Sequence, residues 1–418
     1  MRDFPYVFII IFSTIIFLID LYSYRGLRKL YIKKTRKVKK IIFYSFWLVP
    51  VVLISGLILF LAYRFKFNPS NYLPYFHFFS GYFILFYIPK LVFIFFNLID
   101  DLIIFIRKIF KKKESDVDSN GEPITRKQFL TKAGIVAAGI PFLSIAYGIK
   151  WGRFNFTVRN RTLTFKNLPA AFNGFKIVQL SDFHLGSFKG NENKIREAVE
   201  IVNDQKPDAL LFTGDFVNNV APEVDSFINI LSNLKAPFGK YSVLGNHDYG
   251  DYIKWDSNKA KVKNLENLKS IQREIGFDLL LNESRKIKIN GEAIELLGVE
   301  NWGLKPFPQY GDLNKALENT NQNSFKILMS HDPTHWDEQV LGKTNIDLTL
   351  SGHTHGAQFG IEIPGIRWSP VSLRYKRWGG LYTETNQKLY VNTGIGFIGF
   401  PGRVGMPPEI TVIELRKG

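Results

Sequence analysis

Hydrophobic positions follow two regimes along this chain. Phe4–Tyr24, Ile41–Tyr63, Tyr75–Ile106 and Ala133–Ile149 are near-continuous apolar runs, whereas beyond residue 150 short apolar stretches alternate with polar turns. The first run carries only Asp20 near its end and the second carries no charge. Both reach the roughly 20 residues that cross a hydrocarbon core of about 30 Å, and so predict transmembrane helices. The third contains Pro89, Lys90 and the Asp100-Asp101 pair, which predicts one tilted or kinked helix, or a helix continued by an interfacial stretch. The fourth is short, rich in Gly and Ala and interrupted by Pro141. It predicts a fourth span or signal anchor, with a buried or interfacial helix as the alternative. The pattern divides the chain into three transmembrane helices over 1–110, a polar linker over 111–128, a fourth helix over 129–150 and a globular domain over 151–418.

Within that domain, five runs read as strands: Lys176–Ser181, Asp208–Thr213, Gly239–Leu244, Phe325–Ser330 and Ile346–Ser351. Each leads into a short polar signature. These are Asp182-Phe183-His184, Gly214-Asp215, Gly245-Asn246-His247-Asp248, His331-Asp332 and Gly352-His353-Thr354-His355. Alternation of strand and helix through 176–244 predicts an open α/β sheet, whose strand ends are where such sheets gather their sites. Leu279–Glu300 and Lys388–Leu415 are strand-rich and predict a second sheet.

Charge changes the picture of the N-terminal part. Residues 1–150 hold 22 Lys/Arg against 8 Asp/Glu, a net +14, and leave only +3 of the chain's +17 for the rest. The excess sits in the loops: Arg25–Lys40 carries nine basic residues and Arg107–Lys113 five, with no acidic one, while the 64–74 connection has two. Positive loops stay on the cytoplasmic side. The rule places the 25–40 and 107–128 loops in the cytoplasm and the N-terminus outside. If the fourth run crosses, the globular domain is extracytoplasmic. Thr125–Lys132 before that run resembles a twin-arginine export signal with Lys127 at the second arginine's place. With the charge concentrated beside apolar segments, nucleic acid is not expected as a partner. The chain has no cysteine, which excludes thiolate metal sites, cysteine nucleophiles and disulfides.

The signatures carry the chemistry. Carboxylate, imidazole and amide oxygen are ligands for hard or borderline divalent cations. Two cations held side by side need a bridge, terminal ligands and an open position for water. Asp182 and His184, two residues apart in an extended segment, would share a face. Asp215 is a natural bridging carboxylate, and Gly214, Gly245 and Gly352 stand where strands break into tight loops. Five of the seven histidines lie inside the signatures; His77 and His335 lie outside them and are read as structural.

In this order the motifs resemble the calcineurin-like metallophosphoesterase pattern DxH…GD…GNH(D/E)…H…GHxH, over 182–355. The resemblance implies a four-layer αββα sandwich of two mixed sheets. It implies that Asp182, His184 and His355 hold one metal and Asn246, His331 and His353 the other, with Asp215 bridging. His247 would protonate the leaving group, oriented by Asp248. The two divalent ions would be manganese, iron or zinc. Ser351–Phe359 and Tyr390–Pro408 resemble a bacterial, membrane-attached branch, in which Ala357 replaces a common glycine and Glu300-Asn301 stands where acidic pairs are usual.

On the substrate side, Arg367–Arg377 with Trp378 is basic and aromatic, suited to phosphate or a lipid surface. Arg374, Trp378 and Arg403 are candidate substrate contacts, and Tyr249–Asn258 is a candidate border of the cleft. The expectation is a membrane-anchored, binuclear phosphohydrolase acting on a phosphorylated substrate such as a phospholipid or lipid-linked phosphate. The rivals are a cytoplasm-facing pyrophosphatase of a nucleotide-linked lipid precursor and a non-catalytic membrane sensor.

Overall fold

A computed structural model describes residues 6–63, 73–110 and 126–418. The linker expected from residue 111 lies outside the described residues as far as 125, as does the 64–72 part of the second connection. The described residues divide into two compact units, with the boundary near residues 147 and 148.

The N-terminal unit is helical: α1 (Tyr6–Tyr31), α2 (Arg36–Tyr63), α3 (Leu73–Phe110) and α4 (Arg126–Lys150), which runs three residues into the second unit. All four are long and apolar enough to cross a membrane. The third run is a single 38-residue helix containing Pro89, about 57 Å long at 1.5 Å per residue, so part of it extends past the hydrocarbon. The acidic groups described in these helices have partners, because an apolar solvent leaves unpaired charge unsatisfied. Asp20 is fully buried and accepts from Tyr87 Oη (2.8 Å) and Lys90 Nζ (2.5 Å). Lys29 Nζ reaches Asp100 (3.4 Å), and Tyr22 Oη donates to Asp101 (2.8 Å).

The second unit runs β1 (Thr157–Phe165), β2 (Lys176–Leu180), α5 (Glu192–Asp204), β3 (Ala209–Phe212), α6 (Ile228–Leu231), β4 (Lys240–Ser242), α7 (Asn258–Ile275) and β5 (Phe277–Leu279). It continues with β6 (Glu283–Ile289), β7 (Glu292–Gly298), α8 (Leu313–Leu317), β8 (Lys326–Met329), β9 (Leu348–Ser351), β10 (Ile361–Ile363), β11 (Ile366–Trp368), β12 (Gly380–Glu384), β13 (Gln387–Val391) and β14 (Glu409–Lys417). One mixed sheet has the order β1-β14-β2-β3-β4-β5 and a second β12-β13-β9-β8-β7-β6, with β10 and β11 a separate hairpin.

Side-chain alternation accounts for the layers. In β2, Ile177 points into a core shared with Ile294, Ile327 and Leu348 of the other sheet, while Val178 and Leu180 face α5 and α7 through Ile195, Val199 and Leu268. On the far side Leu297, Leu328 and Val391 pack against Leu313 and Ala316 of α8 and against Trp336. Helix, sheet, sheet and helix follow in order, which is the four-layer αββα sandwich.

One expectation needs correction. The stretch 388–415 does not lie wholly in the second sheet: β13 does, but β14 crosses to the first, pairing parallel with β1 and antiparallel with β2. Both sheets need apolar strands, so hydropathy alone does not choose between them. The crossing lays residues 392–408 over the strand ends.

Candidate metal centre

The loops after β2, β3, β4, β8 and β9 open on one edge of the sandwich. The backbone there is unusual: Asp182, His184, Asp215, His353 and His355 all have left-handed φ, between +47° and +72°. Non-glycine residues adopt this at a cost of about 1–3 kcal/mol each, which the surrounding structure must impose. Asp182 and His184 therefore do not converge by strand alternation, since β2 ends at Leu180. Two successive left-handed turns aim them instead. Gly214 (φ +98°) shows how tight the packing is: a Cβ there would lie 2.6 Å from the Gly245 nitrogen and 2.7 Å from His331 Nδ1.

Two groups of potential ligand atoms result, Asp182, His184 and His355 in one, Asp215, His331 and His353 in the other. His184 Nε2 and His355 Nε2 are 3.0 Å apart, with Asp182 Oδ1 3.2 Å from the latter. Asp215 Oδ2 lies 3.5 Å from His184 Nε2 and 3.2 Å from His331 Nε2, between the groups. Asn246 Oδ1 joins the second, 2.8 Å from His353 Nδ1 and 3.2 Å from His331 Nε2. The far side of three of the four rings is tied down by an oxygen. His331 Nδ1 meets the Thr213 carbonyl (2.7 Å), His184 Nδ1 the Val217 carbonyl (3.2 Å) and His353 Nε2 the Tyr375 hydroxyl (2.9 Å). A donor to a carbonyl at one nitrogen leaves a lone pair at the other, the arrangement that orients metal ligands. Asn246 Nδ2 donates to Tyr252 Oη (2.7 Å), which turns the amide oxygen inward.

Electrostatics are consistent with a cation site. Burial raises the Asp182 and Asp215 carboxyls, but facing imidazoles, His355 and His331 respectively, outweigh it and hold both below the usual range. Burial lowers His184 and His353. For His331 burial lowers too, but the Asp215 carboxylate prevails and lifts it to about 10. A proton and a divalent ion compete for the same pocket of negative potential. Imidazole, carboxylate and amide-oxygen donors converging from both sides of a shared Asp215 fit a pair of divalent cations.

His247 lies at the rim of the cluster. Its backbone N–H donates to Asp215 Oδ1 (2.8 Å) and its Nδ1 meets the Asn218 carbonyl (2.7 Å), which leaves Nε2 as the open nitrogen. Burial lowers its affinity for a proton. Asp248 does not orient this ring. Its carboxylate, fully buried, accepts the backbone N–H groups of Gly245, Asp215, Phe216 and Val217 and so fastens the Asp215 loop to the His247 loop.

Of the expected substrate contacts, Arg374 is exposed and lines a cavity with Leu304, Thr334, Asp337 and Lys376. Trp378 is buried, its carbonyl accepting from Thr354 Oγ1 (2.6 Å), the residue between His353 and His355. Arg403 is 2% exposed, and its guanidinium donates to the carbonyls of Thr393 (2.8 Å), Gly394 (3.0 Å), His355 (3.2 Å) and Gly396, with Nη2 3.2 Å from His355 Nδ1. Its donors are spent on backbone, so it clamps the crossing segment behind His355 instead of facing substrate. His335 is structural, held by Ser330 (2.8 Å) and Gln339 (3.1 Å). Sequence reasoning missed Tyr252 and Tyr375 individually, although Tyr252 falls in the segment marked as a border of the cleft and Tyr375 in the basic, aromatic segment suited to phosphate or a lipid surface.

A family model described as calcineurin-like phosphoesterase matches residues 175–357, and one described as the transmembrane domain of a probable calcineurin-like phosphoesterase matches 1–153. The chain is similar to the uncharacterized metallophosphoesterase YkuE of Bacillus subtilis, 31% identical over 307 residues covering 70% of this chain and 98% of that one. It is 29% identical to a Danio rerio transmembrane protein with a metallophosphoesterase domain, over 60% of this chain and 55% of the longer relative. Among solved structures, a dimetal phosphatase from Danio rerio is matched over 53% of this chain and 88% of that one, at 10% identity and a TM-score of 0.31. With five metal-type signatures on one sheet edge, and a relative matched almost end to end, this chain belongs to the calcineurin-like metallophosphoesterases.

Proposed function

We propose that this phosphoesterase is anchored by its four N-terminal helices and hydrolyses a phosphoester of an amphiphile at the membrane surface. In this reading Asp182, His184 and His355 hold one divalent ion, Asn246, His331 and His353 a second, and Asp215 bridges. The observation that carries it is the position of Asp215 Oδ2, within 3.5 Å of a histidine nitrogen from each group. When bound, such an ion pair supplies an activated water and neutralises phosphoryl charge. The chain's own residues do the rest. Left-handed turns and backbone carbonyls hold the imidazoles in place. His247 Nε2 carries the proton delivered to the leaving oxygen, with Nδ1 held by the Asn218 carbonyl; such acid catalysis contributes about 10²–10⁴-fold. The domain lies outside the cytoplasm if α4 spans the bilayer, as the loop charges favour.

The experiment is metal analysis of purified full-length protein, followed by hydrolysis of bis-p-nitrophenyl phosphate before and after chelation. About two ions per chain and chelator-sensitive turnover, restored by manganese, are expected. A folded chain that binds no metal and hydrolyses nothing would revive the sensor reading. A C-terminal reporter active on only one side of the membrane tests the orientation.

A further inference from the structure

Away from the metal centre, the catalytic unit carries an apolar surface that its own fold leaves open. In the β10–β11 hairpin Ile361 pairs with Trp368, Glu362 with Arg367 and Ile363 with Ile366. Alternation puts Ile361, Ile363, Ile366 and Trp368 on one face, each 47–55% exposed, and the two charged residues on the other. The charged face is fastened down. Arg159 donates to both Glu362 oxygens (2.8 and 2.6 Å), and Arg367 donates to the Gly379 carbonyl (2.5 Å) while lying 4.8 Å from the Trp378 ring. The apolar face is thus held outward by the hairpin's own bonds. Leu373, 86% exposed, follows in the next turn, flanked by exposed Arg374 and Lys376. Four exposed apolar side chains on one face of a hairpin are of the kind that marks an interaction surface.

What covers it is indicated by where the hairpin is rooted. Gly360 N–H donates to the Val404 carbonyl (2.9 Å), and Arg403 N–H donates to the Gly148 carbonyl (3.2 Å). Gly148 begins the last turn of α4 within this unit, where the apolar run meets the globular domain. Lys150 Nζ lies 4.3 Å from the Trp151 ring there, a cation and an indole of the kind that collects at bilayer boundaries. Isoleucine, leucine and tryptophan beside arginine and lysine compose an element that seats its apolar face at the headgroup level and meets anionic lipid with its charges.

We propose that the hairpin and Leu373 insert into the surface of the bilayer that anchors the chain. The segment 371–378 then runs from lipid to metal centre, since Tyr375 Oη is 2.9 Å from His353 Nε2. Substrate reaches the ions from the membrane face: a phosphorylated lipid whose headgroup stands in that surface. Only this last step rests on the proposed hydrolytic function; insertion does not.

The test exploits the absence of cysteine. Ile363→Cys, Leu373→Cys and, as an exposed control, Glu318→Cys are labelled with bimane in the full-length chain, in nanodiscs of phosphatidylcholine and phosphatidylglycerol. Labels at 363 and 373 should emit at shorter wavelength, lose most of their emission to brominated acyl chains and resist aqueous iodide, while 318 does the reverse. Labels quenched by iodide and indifferent to bromine overturn the proposal. Shielding from both quenchers also overturns it, since a second copy would then cover the hairpin. As a second arm, Ile363→Ser with Ile366→Ser should lower turnover of a phosphorylated lipid in vesicles by about tenfold or more, the least expected for withdrawing two half-exposed isoleucines from lipid. Hydrolysis of soluble bis-p-nitrophenyl phosphate should be unchanged, and unaltered lipid turnover sinks delivery from the membrane. If no variant or parent hydrolyses anything, the hydrolytic reading fails while the labels still decide insertion.

Discussion

Asp248→Asn distinguishes a carboxylate that orients His247 from one that fastens two loops. Asp248 Oδ2 accepts from Gly245 (2.9 Å) and Asp215 (3.0 Å), and Oδ1 accepts from Phe216 (2.8 Å) and Val217 (3.3 Å). An asparagine keeps one oxygen and turns an amide NH₂ toward the other pair of donors. Hydrogen bonds to a charged group are worth about 1.5–3 kcal/mol each, so losing two costs about 3–6 kcal/mol. Relief of the burial that pushes the Asp248 carboxyl up to about 7 returns part of this. A net loss of about 3 kcal/mol remains, which at 1.36 kcal/mol per decade is roughly 10²-fold more frequent local opening. Native-state hydrogen exchange on the full-length chain reads it directly. Peptides covering 213–218 and 243–249 should exchange roughly 10²-fold faster and α7 should not change. Metal content should fall, because Asp215 rides on the fastened loop. The basic limb of the pH–rate profile should keep its midpoint, because the Asn218 carbonyl still holds His247 Nδ1. Unchanged exchange together with a displaced limb would refute the fastening role and restore the orienting one.

His247→Gln should lower kcat by about 10²–10⁴ with metal content intact, measured by steady-state kinetics and metal analysis. Asp215→Ala should abolish stoichiometric binding of both ions, since its carboxylate faces both groups, and calorimetric titration with manganese would show it. Arg403→Met strips a buried guanidinium from four carbonyls and should destabilise the domain by about 3–5 kcal/mol; a folded, stable variant with only a raised KM would instead reinstate it as a phosphate contact. Burial pushes Glu223 up to about 7 from its ordinary 4.5, despite backbone donors at Asn218, Asn219 and Val220. A raised carboxyl binds more protons in the folded state. Its contribution is complete below about 4.5 and lost as pH rises through about 7, amounting to about 3 kcal/mol. Thermal unfolding followed between pH 4 and 8 should show this decline, and Glu223→Gln should flatten it.

The sequence carried the helices and the ligand-type residues for the same reason: both are local. A hydrocarbon solvent reads each span by hydropathy alone, and Asp, His and Asn declare their donor chemistry wherever they stand. Strand identity was legible for β2, β3, β4, β8 and β9, since each is an apolar run closed by a polar turn. What the chain did not declare depends on atoms from distant segments. Asp182 and His184 are aimed by left-handed turns that no alternation rule anticipates, because the strain is imposed by the loops packed around them. Asp248 was expected to orient His247 and Arg403 to face substrate; both are satisfied by backbone, a fact visible only once the donors and carbonyls around them are in place. The sheet that β14 joins was undecided by hydropathy, because both sheets bury the same kind of strand. The apolar face of β10–β11 has residues that would suit any core, and only the folded unit reveals that they stay about half exposed among the described residues.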